Sequence, residues 1–156
     1  MSPDTKDQRN SALSNWFIAS VVVILIVSGF AKMLSHFSST KLLATPDPIT
    51  GLSFGNLMLA AGVVEVVIAG VCLGNKSRLL SLALIAWLAT SLVIYRLGLW
   101  WMGWKKPCNC LGNLTDALQI SPQTADMGMK ITLMYMLIGS YTALFFFWRK
   151  SEGSHP

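Results

Sequence analysis

The sequence predicts an all-α integral membrane protein: a four-helix bundle of antiparallel, up-down helices with both termini in the cytoplasm. Three observations predict it. Of 156 residues, 53% are hydrophobic and only 12% charged, where a water-soluble domain carries about 25% charged residues; mean hydropathy is +0.55. The apolar residues gather in four runs, Trp16–Leu34, Leu52–Leu73, Leu79–Trp101 and Ile131–Trp148, each near the ~20 residues that cross a bilayer as a helix. None of the runs alternates as a strand would, and lipid offers the backbone no partner, so helices rather than a barrel are expected. This composition excludes an ordinary cytosolic enzyme, a disordered chain and a disulfide-dense secreted domain. The length allows one compact domain.

Each element follows from local signals. Residues 1–15 read as a polar cytoplasmic tail. The run from Trp16 is long, follows that tail and has no small-residue cleavage pattern behind it, so it reads as a retained first span rather than a signal peptide. The connector Ser35–Gly51 carries Thr45-Pro46-Asp47-Pro48, a stiff, non-helical turn. Gly74–Arg78 is tight and makes the second and third spans an antiparallel hairpin. Met102–Lys130 is the longest connector. Within it, Ser121-Pro122 marks a helix start, serine as N-cap and proline at the first position, so the fourth helix begins before the membrane. Asn113–Leu118 reads as one short surface turn. The membrane domain spans residues 16–148, and 149–156 form a second cytoplasmic tail.

Small residues recur every seven positions in the second span, at Gly55, Gly62 and Ala69. Such a stripe lets two helices approach closely. Gly51-x-x-x-Gly55 and Gly70-x-x-x-Gly74 extend it, and packing within the bundle is preferred to dimerisation.

Topology rests on lysine and arginine near the span ends. Lys6, Arg9, Lys76, Arg78, Arg149 and Lys150 lie on one side. Lys41, Lys105, Lys106 and Lys130 lie on the other. The balance places the termini in the cytoplasm and the long connectors in the periplasm or exterior, where Trp100, Trp101 and Trp104 form an interfacial aromatic belt. The net charge of +5 therefore serves topology and lipid headgroups. No basic stripe with exposed aromatics and no nucleic-acid motif accompanies it, so nucleic acid is not an expected partner.

Chemistry concentrates in two places. One is Cys108-Asn109-Cys110 in the polar connector. A disulfide across one intervening residue closes a very small, strained ring, and strained, exposed disulfides are exchange-active. Lys105 and Lys106 favour the thiolate, and Pro107 stiffens the approach. The expected location is an oxidising compartment. Cys108 and Cys110 are thus the candidate catalytic residues of thiol–disulfide exchange, with a structural staple or lipidation sites as the competing readings. A metal site is not expected: two thiols are too few ligands, and His36 and His155 fall on opposite sides of the predicted membrane. Cys72 reads as a small buried residue at the cytoplasmic end of the second span.

The other place is the set of charges inside the spans: Lys32, Glu65 and Arg96. Intramembrane ionisable groups usually face the bundle interior. Glu65 lies on the small-residue stripe and points inward. At ~1.5 Å per residue, Lys32 sits about 24 Å from the cytoplasmic start of the first span, Arg96 about 26 Å from that of the third, and Glu65 roughly 12 Å from the cytoplasmic end of the second. Lys32 and Arg96 are therefore level beneath the cysteines. They either snorkel to headgroups or line a cationic pocket suited to an anionic or quinone-type redox partner. The depth estimate leaves a direct Lys32–Glu65 bridge open. Glu65 is either a structural hydrogen-bonded carboxyl or handles protons. The three are the candidate cofactor-binding residues; no tightly bound cofactor is expected.

Ser28-Gly29-Phe30-Ala31-Lys32 closing the first span, Gly62-Val63-Val64-Glu65 in the second and Cys108-Asn109-Cys110-Leu111-Gly112 after the third resemble the MauE family of methylamine utilisation. They are also similar to the wider DoxX-like group of small redox-associated membrane proteins. The resemblance runs from about Trp16 to Trp148, and its most specific part is C-x-C-x-G. The family pattern C-x-C-F-G has Leu111 here in place of phenylalanine. The resemblance implies a bacterial inner-membrane protein linked to periplasmic thiol redox, working beside a thioredoxin-like partner on a disulfide-rich client. For MauE the client is the small subunit of methylamine dehydrogenase. For DoxX-like proteins, the resemblance implies ties to quinone reduction.

Two other functions compete with redox exchange. One is a non-catalytic assembly or accessory subunit whose cysteine pair staples the connector. The other is a small-solute transporter, disfavoured by unbroken spans, the lack of paired repeats and a single acidic residue within them. Membrane lipids are expected partners, beside a periplasmic thioredoxin-like protein and its client, and the sequence does not fix the oligomeric state.

Overall fold

The computed structural model describes residues 3–36, 46–47, 49–75, 77–103 and 121–152. Among these residues the fold is all-helical, with α1 Pro3–His36, α2 Phe54–Gly74, α3 Arg78–Trp101 and α4 Pro122–Glu152. Each helix is long and apolar enough to cross a membrane. α1 starts well before its apolar run, with Pro3 at the first position, where its missing N–H is no loss. α2 is capped by Ser53, whose hydroxyl accepts from the Asn56 amide at 3.4 Å. α4 begins at the expected Ser121-Pro122 signal. The Ser121 hydroxyl accepts from the Thr124 amide at 3.2 Å, and its carbonyl accepts from Ala125 at 3.1 Å.

All four helices contribute to one core. Val21, Val22 and Leu25 of α1 meet Ile68, Ala69 and Cys72 of α2, Ile85, Leu88 and Ala89 of α3, and Met136 of α4. Large apolar residues such as Val27, Val67, Trp87, Ile94 and Trp101 face outward. In lipid, that exposure costs nothing, and for the same reason apolar contact alone does not drive helices together; close packing does.

The closest packing joins α1 to α2 through two glycines. A Cβ built on Gly29 would lie 2.9 Å from the Gly62 carbonyl oxygen, and one on Gly62 would lie 2.8 Å from the Gly29 carbonyl oxygen. Neither position has room for a side chain. Gly55, Gly62 and Ala69 are all buried, as their spacing predicts. The extension of that stripe does not hold. Gly51, Gly70 and Gly74 have open space where a Cβ would stand, because they project away from the neighbours that the seven-residue stripe meets. Gly51 instead serves the connector, at φ +71°, a conformation that glycine adopts without cost.

The α2–α3 link is as tight as expected. The Asn75 amide donates to the Val71 carbonyl at 2.9 Å, and the Asn75 side-chain oxygen accepts from the Ser77 amide at 2.8 Å. The Cys72 thiol is buried and reaches the Ser81 carbonyl at 3.9 Å. It forms no disulfide.

Candidate functional site

Lys32 and Glu65 stand one turn beyond the glycine contact on α1 and α2. The backbones are so close there that both side-chain stems touch the opposite glycine: Lys32 Cβ lies 3.2 Å from the Cβ position of Gly62, and Glu65 Cβ 3.4 Å from that of Gly29. The two charged groups form a direct ion pair, Lys32 Nζ to Glu65 Oε1. It is buried, with 4% and 2% of the two residues exposed, and Lys32 also donates to the Ser28 hydroxyl at 3.1 Å. Glu65 Oε2 is buried with no hydrogen-bond partner among the described residues. Lys32 therefore does not snorkel. Burying either charge alone would be costly, and each is neutralised by the other.

Arg96 pairs between helices as well. Its Nη2 lies 2.6 Å from Asp126 Oδ1, and Lys130 Nζ lies 2.6 Å from Asp126 Oδ2. One carboxylate on α4 thus holds a cation from α3 and another from its own helix, one turn on. Asp126 lies before the apolar run, in the stretch that the sequence assigns to the connector, and so is not among the expected site residues. The i,i+4 pairing with Lys130 was the available signal.

A third polar group ties the first connector to the bundle. The Asp47 carboxylate is buried, with 1% of the residue exposed. It accepts from the Thr50 amide and hydroxyl, both at 2.8 Å, and from the Tyr95 hydroxyl of α3 at 2.9 Å. The backbone closes around it, with the Asp47 amide donating to Leu52 at 2.7 Å and Gly51 donating to the Asp47 carbonyl at 2.8 Å. The backbone turns between Asp47 and Gly51; of the predicted turn Thr45-Pro46-Asp47-Pro48, Thr45 and Pro48 lie outside the described residues, and no local pattern announces the anchor on α3. Burial pushes the Asp47 carboxyl up; the hydrogen bonds from Thr50, Tyr95 and Ile49 outweigh it, so its pKa falls below the ordinary 3.8. A carboxylate so shifted contributes stability above its unfolded pKa and loses it as pH falls through the lower, folded value. Tyr95→Phe is therefore expected to cost about 1–3 kcal/mol at pH 7, with the deficit shrinking below pH 3.8. Thermal unfolding against pH in detergent micelles checks this; equal midpoints at pH 7 would show the latch to be inert.

Between these groups lies a cavity of about 210 Å³, lined by Lys32, Phe54, Met58, Tyr95, Arg96 and Met129 among others. The structure thus brings Lys32 and Arg96 to one chamber, as their common depth predicts, and Glu65 is bound to Lys32. Both cations in the chamber wall have carboxylate partners, Glu65 for Lys32 and Asp126, shared with Lys130, for Arg96. Cys108 and Cys110 lie outside the described residues, as do Lys105, Lys106, Trp104 and the predicted turn at Asn113–Leu118. Among the described residues no three His, Cys, Asp or Glu side chains cluster as metal ligands would.

Four spanning helices around buried, paired charges define a multi-pass helical membrane protein. The family model described as methylamine utilisation protein MauE matches residues 10–149. The chain belongs to the MauE family. No characterised protein and no solved structure matches it.

Proposed function

We propose that the protein is a membrane thiol–disulfide redox protein of the bacterial inner membrane, whose Cys108-Asn109-Cys110 pair exchanges disulfides with a thioredoxin-like partner in the periplasm. The observation that carries this reading is the cysteine pair of the sequence on the connector between α3 and α4, two helices that the Arg96–Asp126 ion pair joins. In the exchange, a thiolate of the reduced partner attacks one sulfur of the Cys108–Cys110 disulfide. The resulting mixed disulfide is resolved by the partner's second thiolate. The partner leaves oxidised, and Cys108 and Cys110 leave as thiols with two electrons and two protons.

A lipid-soluble acceptor of the quinone class, when bound, supplies the sink for those electrons and protons. The chamber at Lys32 and Arg96 supports this choice. Its walls are mainly apolar, and its cations are already paired, so it suits a neutral ring with carbonyl acceptors better than an anion. Family membership supports methylamine utilisation as the setting, with a disulfide-rich dehydrogenase subunit as the client.

Cys108→Ser and Cys110→Ser test the reading. In the wild type, alkylation after acid quenching should find the pair oxidised in the periplasm. One serine variant should accumulate a mixed disulfide with a thioredoxin-like protein, and both should lose exchange while keeping wild-type thermal stability. A pair that stays reduced and traps nothing sinks the proposal. Serine variants that lose stability but keep electron transfer establish a staple instead.

A further inference from the structure

We infer that a second site, a groove between the first half of α1 and the last half of α4, holds one acyl chain of an anionic membrane phospholipid. The groove has a volume of about 550 Å³, and Leu13, Ser14, Phe17, Gly139, Thr142 and Phe147 form much of its wall. Gly139 lets the Phe17 ring lie against α4 in the groove wall, for a Cβ there would stand 2.6 Å from Phe17 Cζ. At its inner end the Phe17 and Tyr135 rings pack at 5.4 Å, and the Tyr135 hydroxyl bonds Ser20 at 2.9 Å.

Three features select the occupant. The first is length. The wall runs along α4 from Tyr135 to Phe147, about 18 Å at 1.5 Å per residue. That is close to the depth of one leaflet, roughly half of a ~30 Å hydrocarbon core. The second is the Ser14 hydroxyl, which lies in the groove wall, is more than nine-tenths buried and has no hydrogen-bond partner among the described residues. A buried hydroxyl is expensive to leave unpaired, and a glycerol ester carbonyl at the top of the chain would accept from it. The third is charge. Arg149 follows Phe147 by two residues, is solvent- or headgroup-accessible, and rests over the Phe145 ring at 5.6 Å. A guanidinium at this level favours a headgroup of net negative charge over a zwitterionic one.

The test uses the full chain in nanodiscs of phosphatidylcholine and phosphatidylglycerol, with a phosphatidylglycerol bearing a diazirine in one acyl chain. Photolabel should concentrate on Leu13–Phe17 and Ile138–Phe147, well above the equally exposed faces at Val67 and Ile94. Native mass spectrometry should find one phosphatidylglycerol retained per chain. Ala143→Phe, which fills the groove, should abolish retention. Arg149→Gln should weaken it about fivefold for phosphatidylglycerol and leave phosphatidylcholine unchanged. Should Ala143→Phe fail to fold, Ser14→Val keeps the retention test open and should also weaken it. Uniform labelling of all outward faces, retention unchanged by these variants, or a dimer that shields the groove from label would each overturn the inference.

Discussion

Lys32→Met is expected to destabilise the protein by about 3–5 kcal/mol, the cost of leaving one member of a buried ion pair without its partner. Lys32 and Glu65 are enclosed by α1 and α2, with side chains 5% and 3% exposed. Glu65 Oε2 already lacks a partner among the described residues. Glu65→Leu should cost a similar amount, because it strands the ammonium with only the Ser28 hydroxyl. The double variant Lys32→Met/Glu65→Leu removes both charges and should recover most of the loss, since an apolar replacement of a buried pair is often neutral or stabilising. Thermal unfolding in micelles, backed by the folded fraction on gel filtration, reads the difference; a few kcal/mol in a chain of this size amounts to on the order of 10 °C. Single variants as stable as the wild type, or a double variant worse than either, would show that the two groups do not support each other. Because the pair borders the chamber, the double variant also separates function from stability. If it folds but no longer reoxidises Cys108 and Cys110, the charges serve the acceptor site as well as the fold.

Gly62→Val should be nearly as damaging, for a steric reason. The new Cβ would stand 2.8 Å from the Gly29 carbonyl oxygen and 3.2 Å from Lys32 Cβ and Met33 Cγ. A backbone carbonyl cannot turn aside, so α1 and α2 must separate. Overpacking of this kind costs about 1–3 kcal/mol. The separation also stretches the ion pair, so the two effects are coupled: Gly62→Val should cost less in the Lys32→Met/Glu65→Leu background than in the wild type. Gly70→Ala is the control. Nothing lies within 4 Å of its Cβ position, and alanine is the better helix former by up to about 1 kcal/mol, so stability should be unchanged or slightly raised. If Gly62→Val and Gly70→Ala behave alike, the glycine contact does not hold the two helices.

How far the sequence could be read differs from residue to residue. The four spans were legible because lipid imposes length and apolarity on each helix separately. The α4 start was legible because a cap is local: Ser121 and Pro122 act on amides within four residues. The Gly55, Gly62 and Ala69 stripe was legible because a heptad spacing keeps residues on one helix face. Gly70-x-x-x-Gly74 has an equally suggestive spacing and packs against nothing, which shows that spacing names a face without naming a neighbour. The partners of the intramembrane charges were harder to reach. Depth counted along each helix from its own end ignores how the helices are shifted along one another, and so it could not decide whether Lys32 meets Glu65. Arg96 lines one cavity with Lys32, but its partner Asp126 lies in the stretch that the sequence assigns to the connector. The Asp47 latch on Tyr95 joins residues 48 positions apart, and no local pattern announces it.

The sequence by itself determined the solvent this protein lives in, the number of membrane-length helices among the described residues, the point at which α4 starts and the presence of a cysteine pair between α3 and α4. These are properties of composition and of contacts between near neighbours along the chain. Only the tertiary structure decided which buried charge neutralises which, where a chamber opens among four helices, and that Gly29 and Gly62 are the pair that must remain bare. Those outcomes depend on the relative shift and approach of separate helices. That approach is set by steric contact between atoms far apart in the chain, and no periodicity within one helix encodes it.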